Sequence, residues 1–311
     1  MRNQMLKMEN GSFEIEDGFF GSLPEGFVAK ALSLTSPKDA CRLSLVCSLF
    51  RSAAEWDAVW EAFLPEDCRT AVEHGGGGCL SKKELFLRLC DRPLIIDGGH
   101  KSFSLDKQTG KKCYMLAARD LSIVWSDTPR YWRWISLPES RFKEVAELIS
   151  VCWFEVHGRI KTRMLSPNTI YTAFMVFKWT SENHGFGYQP AEVSIGLSGL
   201  ESHQTQTIFL EPEGEPIRHY PVVPRRRMGM FNRGRVLNPT LVVPFNTCSN
   251  GNRPKQREDG WMEIELGEYF VKNGEEGELE MSITEVKSGN WKGGLVIQGI
   301  EIRPKHCNNK S

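Results

Sequence analysis

Residues 152–161, CWFEVHGRIK, decide the fold class of most of the chain. Cys152, Phe154, Val156 and Ile160 stand on one side of a period-two pattern, and Trp153, Glu155, His157, Arg159 and Lys161 on the other. Side chains alternate across a strand, so this segment reads as a strand with one dry face and one wet face. The same period recurs downstream. Residues 170–179, IYTAFMVFKW, are apolar on both faces and read as a central strand. Met262, Ile264 and Leu266 alternate with Trp261, Glu263 and Glu265, and Leu279, Met281 and Ile283 with Glu278, Glu280 and Ser282. Residues 294–303, GLVIQGIEIR, form a last strand, and residues 192–197 and 240–244 suit shorter ones. Many short strands with turn signals and little helical pattern predict a mainly antiparallel, jelly-roll-like β-sandwich over 94–305.

The period changes upstream, in residues 23–65, LPEGFVAKALSLTSPKDACRLSLVCSLFRSAAEWDAVWEAFLP. Ser36 can cap a helix, Pro37 suits its first position, and Asp39 complements its dipole. Ala40, Leu43, Val46, Cys47 and Phe50 then form one apolar stripe, with Leu45 and Leu49 off it. A helix apolar on two sides is packed on two sides. Trp56, Val59, Trp60 and Phe63 repeat the spacing. Residues 22–64 thus predict three short helices, near the size at which one core barely suffices alone. Residues 65–93 read as a linker with four glycines, Gly75 to Gly78, and a bridging helix that starts at the capping box Ser81-Lys82-Lys83-Glu84. Residues 1–21 are expected to be disordered and 306–311 to be a tail. The fold class is α+β and multidomain.

Composition narrows the function. The chain has 311 residues, with 39 Lys plus Arg balanced by 39 Asp plus Glu. A neutral body argues against a general nucleic-acid or acidic-membrane binder. The balance hides two blocks: eight Arg or Lys and no acid over 222–257, then ten acids and one Lys over 258–285. The basic block suits a solvated loop answering the acids, or a polyanion patch. Nine Cys without a CxxC pair give no zinc-ribbon or thioredoxin signature and suggest a reducing compartment. No leader or membrane-spanning run is read, so the expectation is a soluble, cytoplasmic and nuclear protein. No metal or organic cofactor, no membrane and no specific nucleic acid are implied as partners.

Residues 116–134, LAARDLSIVWSDTPRYWRW, carry the binding signal. Trp125, Tyr131, Trp132 and Trp134 fall within ten residues around the turn Ser126-Asp127-Thr128-Pro129. A flat indole suits the CH face of a pyranose, and several such weak contacts must act together. From the residues alone, Trp125 and Trp132 suit either a stacking site or a core, and Trp134 suits the core.

Leu23-Pro24, Leu32, Leu43, Val46-Cys47 and Trp60, in that order, resemble an F-box, with Phe50 where that family more often has Trp. The resemblance implies a module that binds a Skp-type adaptor, and through it a cullin–RING ubiquitin ligase, by way of Leu23, Pro24, Leu43, Val46 and Trp60. ARDLSIVW, YWRW, EVAELISVCWFEVHGRI, GWMEIELGEYF, GELEMSITEV and WKGGLVIQGIEIRP resemble the phloem protein 2/Nictaba lectin domain. Joined to an F-box, this is similar to the plant F-box proteins of the phloem protein 2 B type. The resemblance implies carbohydrate binding, to N-acetylglucosamine-type glycans or glycoproteins, through Trp125 and Trp132.

Two other readings compete. The sandwich could bind a protein target without sugar recognition. A glycoside hydrolase needs two carboxylates about 5–5.5 Å or 6.5–9.5 Å apart. Glu263 and Glu265 share a strand face at about 6.6 Å, and Glu155 shares one with His157, but such alternation is the ordinary look of a wet strand. No catalytic motif accompanies them. The expectation is a non-catalytic receptor.

Overall fold

A computed structural model describes residues 23–66, 68, 81–187, 189–199, 204–211 and 253–306. The expected disordered N-terminus, the four glycines, the strand at 240–244 and most of the basic block lie outside the described residues. The chain divides into a helical unit, Met1–Asp91 with Lys107–Gly110, and a β unit, Arg92–Asp106 with Lys111–Ser311.

The helical unit contains α1 (Glu25–Ser33), α2 (Pro37–Leu43), α3 (Ser48–Ala53), α4 (Asp57–Phe63) and α5 (Lys82–Asp91). The cap read at Ser36 is present: its Oγ accepts from the Asp39 N–H at 3.1 Å, with Pro37 at the first helical position. The stripe from Ala40 to Phe50 is divided, however. α2 stops at Leu43, and Cys47, in extended backbone, starts α3. Ser44 Oγ donates back to the Cys41 carbonyl at 2.7 Å, the local bond by which serine competes with helix continuation. Leu45 and Val46 therefore fall on a connection and are exposed at 76% and 59%. Trp60 is the centre of the core: it is 1% exposed, its Nε1 donates to the Ala54 carbonyl at 2.7 Å, and its ring meets Phe63 and Phe86 at 5.8 and 5.3 Å. Phe86 comes from α5, whose capping box closes as read, Ser81 N–H to Glu84 Oε2 at 3.0 Å and Glu84 N–H to Ser81 Oγ at 3.2 Å.

The β unit runs β1 (Leu94–Ile96), β2 (Lys101–Leu105), β3 (Lys112–Ala117), β4 (Ser122–Ile123), β5 (Trp132–Ile135), β6 (Val145–Leu148), β7 (Phe154–Lys161), β8 (Thr169–His184), β9 (Ala191–Leu197), β10 (Gln204–Ile208), β11 (Lys255–Gln256), β12 (Met262–Val271), β13 (Glu278–Glu285) and β14 (Gly293–Pro304). One sheet has the order β1-β2-β3-β14-β8-β12-β11, with β6 also on β14 and β5 on β6; the other is β10-β9-β13-β7-β4. The pairings between these strands are antiparallel. β8 lies between β14 and β12, as its two apolar faces require. β7 alternates as read, with Phe154, Val156 and Ile160 inward. The sheets meet closely at Gly158, where an added Cβ would stand 3.0 Å from Ile300 Cδ1 and 3.2 Å from Leu116 Cδ1. A side chain there would have to push the opposing sheet away.

β12 departs from its reading. Trp261, placed on the wet side with Glu263 and Glu265, is fully buried. It packs with Phe142, Val145, Met115, Val176 and Val296, and the half-buried Ile135 and Leu137. The connection from β5 to β6 thus lays a second apolar layer on the larger sheet, which is why β14 is buried along nearly its whole length. On the same strands Glu301 is gripped by Arg257 at 2.7 Å, Arg141 at 3.1 Å and Arg303 at 3.1 Å. Burial pushes its carboxyl up, but Arg257 and Arg141 outweigh that and hold it below the ordinary value. Arg257, the last basic residue of the basic block, also pairs with Asp259 and Glu263 of the acidic one.

Candidate functional site

The loop between β4 and β5 presents Trp125. Its backbone is left-handed, φ 61°, a conformation that costs a non-glycine residue about 1–3 kcal/mol. The surroundings over-determine it. Trp132 Nε1 donates to the Val124 carbonyl at 3.1 Å, and Trp134 Nε1 donates to the Ser126 carbonyl at 3.1 Å. These carbonyls flank Trp125 on either side. The Val124 N–H donates to the Glu155 carbonyl at 3.1 Å, and the Thr128 N–H to the carbonyl of Trp125 itself at 3.0 Å. Trp125 consequently stands 40% exposed on a backbone that cannot collapse over it.

Its neighbour is Tyr131, half-buried, with ring centroids 5.2 Å apart and planes at 37°. Trp132 is different. It is 2% exposed and stacks on Phe154 at 6.4 Å with planes at 28°. The structure therefore separates the two indoles that the resemblance pairs: Trp125 offers a face to solvent, and Trp132 braces the loop from below. Trp134, read as core, is half-buried under the Arg119 guanidinium, 3.7 Å from its ring. Arg119, Ser126, Asp127, Pro129, Trp132, Arg133 and Trp134 line a cavity of about 420 Å³ beside the loop. Aromatic floor, polar wall and fixed backbone are the ingredients of a small-molecule site.

The carboxylate pairs fare differently. Arg303 grips Glu263 bidentately, at 2.6 and 2.9 Å, and Arg257 binds it again at 2.9 Å. A carboxylate so occupied is a structural anchor. Burial pushes Glu265 up, helped by Glu268. On β7, Glu155 binds His157 at 2.8 Å and accepts from Trp153 Nε1 at 2.6 Å, and its carboxyl is held below the ordinary range by those two bonds. Glu280 of β13 completes this lattice, 3.2 Å from His157 Nδ1 and 3.1 Å from Arg159. Among the described residues no group of three or more His, Cys, Asp or Glu is placed to hold a metal ion.

In the helical unit Pro24 and Val46 are exposed, Leu23 and Leu43 are half-buried, and Trp60 lies inside. Other large apolar side chains also face solvent: Phe27 at 65% and Leu34 at 75%, with Leu45 at 76%. Leu45 was detectable, as a residue off the main stripe. Phe27 and Leu34 carried no such signal, because α1 reads as an ordinary amphipathic helix. Among the described residues no helix is long and apolar enough to cross a membrane.

The molecule is thus a helical module with uncovered aliphatic surface, joined in one chain to an antiparallel sandwich that carries a braced, exposed indole. Residues 20–62 match the F-box domain, and residues 111–304 match the phloem protein 2 family. The chain is 42% identical over 310 residues to F-box protein PP2-B1 of Arabidopsis thaliana, covering 93% of this chain and 91% of that protein. It is 43% identical over 305 residues to F-box protein PP2-B10 of the same plant, covering 97% and 98%. It belongs to the phloem protein 2 family of F-box proteins. A carbohydrate-binding module solved with beta-1,4-galactotriose aligns over 60% of this chain and 87% of its own, with a TM-score of 0.27 and 9% identity, too remote to bear on this one.

Proposed function

We propose that the chain is the non-catalytic substrate receptor of a Skp–cullin–F-box ubiquitin ligase and that its sandwich recognises N-acetylglucosamine-type glycans on target proteins. The observation that carries the sugar half is Trp125: an exposed indole in left-handed backbone, with its neighbouring carbonyls held by the buried Trp132 and the half-buried Trp134. Strain of this kind persists at binding sites because a ligand face must be presented rather than packed away. Trp125 supplies the stacking face and Trp132 supports it from beneath. The adaptor half rests on the F-box match and on Leu34, Leu45 and Val46, aliphatic groups that a partner helix would take out of water.

One chain then holds a glycoprotein and the ligase scaffold together and raises the effective concentration of target lysines near the charged conjugating enzyme. The place of action is the cytoplasm and nucleus, where thiols such as Cys41, Cys47 and Cys152, which form no disulfide, stay reduced.

A glycan array probed with the full-length chain and with Trp125→Ala tests the sugar half. Binding to N-acetylglucosamine oligomers that disappears in Trp125→Ala, with circular dichroism unchanged, is the expected result. No glycan binding by the wild type would leave the sandwich as a receptor for protein surfaces.

A further inference from the structure

The exposed aromatic surface does not stop at Tyr131. Trp291, at the end of the loop between β13 and β14, brings its ring centroid to 6.5 Å from that of Tyr131, with planes at 35°. Trp291 is 52% exposed, more than Trp125. The four residues before it, Lys287-Ser288-Gly289-Asn290, are polar or glycine, so no adjacent apolar run explains an indole in water.

The loop is built to hold that indole still. Glu285 at its start and Lys292 at its end form an ion pair in which the lysine side chain is fully buried and the glutamate nearly so. Glu285 also accepts from the Ser288 N–H at 3.3 Å, and Lys292 Nζ donates to the carbonyls of Glu285 and Cys152, each at 3.2 Å. Lys292 exchanges both backbone bonds with Val151, at 2.8 and 2.9 Å. Behind Trp291, Gly185 has a left-handed φ of 87°, and an added Cβ there would lie 2.3 Å from the Trp291 carbonyl. A buried ion pair costs desolvation and is a poor device for stability alone, but it fixes geometry. The Trp125 backbone is thus held by two indoles of β5, and the Trp291 loop by a buried ion pair between its two ends.

We infer that Trp291 forms a second stacking subsite, separate from Trp125 and continuous with it through Tyr131, so that the face takes an oligosaccharide of several rings rather than a single sugar. This rests on the glycan reading above. Trp125 sets whether sugar binds at all, and Trp291 adds affinity only for chains long enough to reach it. Lys292 and Glu285 are positioning residues for that subsite.

The test is calorimetric titration of the full-length chain with N-acetylglucosamine oligomers of two to six rings. For the wild type, affinity should rise with length. Trp291→Ala should bind the two-ring oligomer as the wild type does and lose the increment gained on lengthening, about fivefold. Trp125→Ala should lose binding at every length. An unchanged Trp291→Ala profile, or an equal loss at all lengths, overturns the second subsite while leaving glycan recognition intact. Absence of binding by the wild type at every length overturns both. Trp291 sits at an exposed loop end, so its replacement leaves the fold in place, which the thermal midpoint checks.

Discussion

The helical unit buries Trp60 and leaves Leu34, Leu45 and Val46 in water, whereas the loop end of the β unit buries Trp132 and leaves Trp125 and Trp291 in water. The difference lies in what fixes the exposed groups. Leu45 and Val46 stand on a four-residue connection between helices of seven and six residues, lengths that are marginal without tertiary support. A surface of that kind suits a partner that completes it by burial. Trp125 and Trp291 stand on backbone braced by indole hydrogen bonds and a buried ion pair. Such a surface suits a small, stiff ligand that pays little ordering cost on a preorganised face.

The largest effect should come from the ion pair. Lys292→Met strands the Glu285 carboxylate in the interior and should destabilise the β unit by about 3–5 kcal/mol in urea unfolding. Adding Glu285→Met should restore most of the loss. If the single variant costs no more than a surface substitution, the loop is not held as described.

Glu301→Gln should cost less, because Arg257 and Arg303 retain Glu263 and Arg257 retains Asp259. It should also change the acid limb. The folded-state carboxyl lies below its ordinary 4.5, so its contribution is complete above 4.5 and is lost as pH falls through the depressed value. Unfolding midpoints measured from pH 7 to pH 3 should therefore decline less steeply in the glutamine variant. An identical slope would remove Glu301 from the account.

Leu45→Asp should leave the helical content unchanged and weaken adaptor binding by more than about 2 kcal/mol, roughly thirtyfold. Co-purification of a Skp-type adaptor with the variant at wild-type yield would contradict this docking surface.

The smallest effects are the most discriminating. Trp132→Phe keeps a ring against Phe154 but removes the donor to the Val124 carbonyl, and should cost about 1–2 kcal/mol of stability as well as weakening sugar binding. Trp125→Gly should do the reverse, raising stability by about 1 kcal/mol through relief of the left-handed backbone while abolishing sugar binding. Differential scanning calorimetry reads both. Equal destabilisation by the two would mean that Trp125 is a packing residue.

Much of this was legible in the sequence where one physical rule acts alone. Period-two alternation placed β7 and β13, and the two apolar faces of residues 170–179 placed β8 in the middle of its sheet. Capping chemistry fixed the starts of α2 and α5. The misplacements occur where a distant segment or a competing local bond decides. Trp261 looked wet because nothing local says that residues 135–142 cover that face. The stripe from Ala40 to Phe50 looked continuous because the Ser44 back-bond competes with the helix without altering its apolar period. In the site, the cluster Trp125–Trp134 was visible as composition, but which indole faces out depends on two hydrogen bonds that each span eight residues. Trp291 could not be joined to it, since 160 positions separate it from Tyr131 and the pairings of β6 with both β5 and β14 close that distance.

The most direct measurement combines both units. The full-length chain, co-expressed with a Skp-type adaptor, is passed over immobilised N-acetylglucosamine oligomers. The adaptor should be retained through the chain, be released by free oligomer, and flow through when the chain carries Trp125→Ala. A wild-type complex that flows through, or a Trp125→Ala complex retained as strongly as the wild type, would contradict the assignment of one unit to the ligase and the other to the sugar.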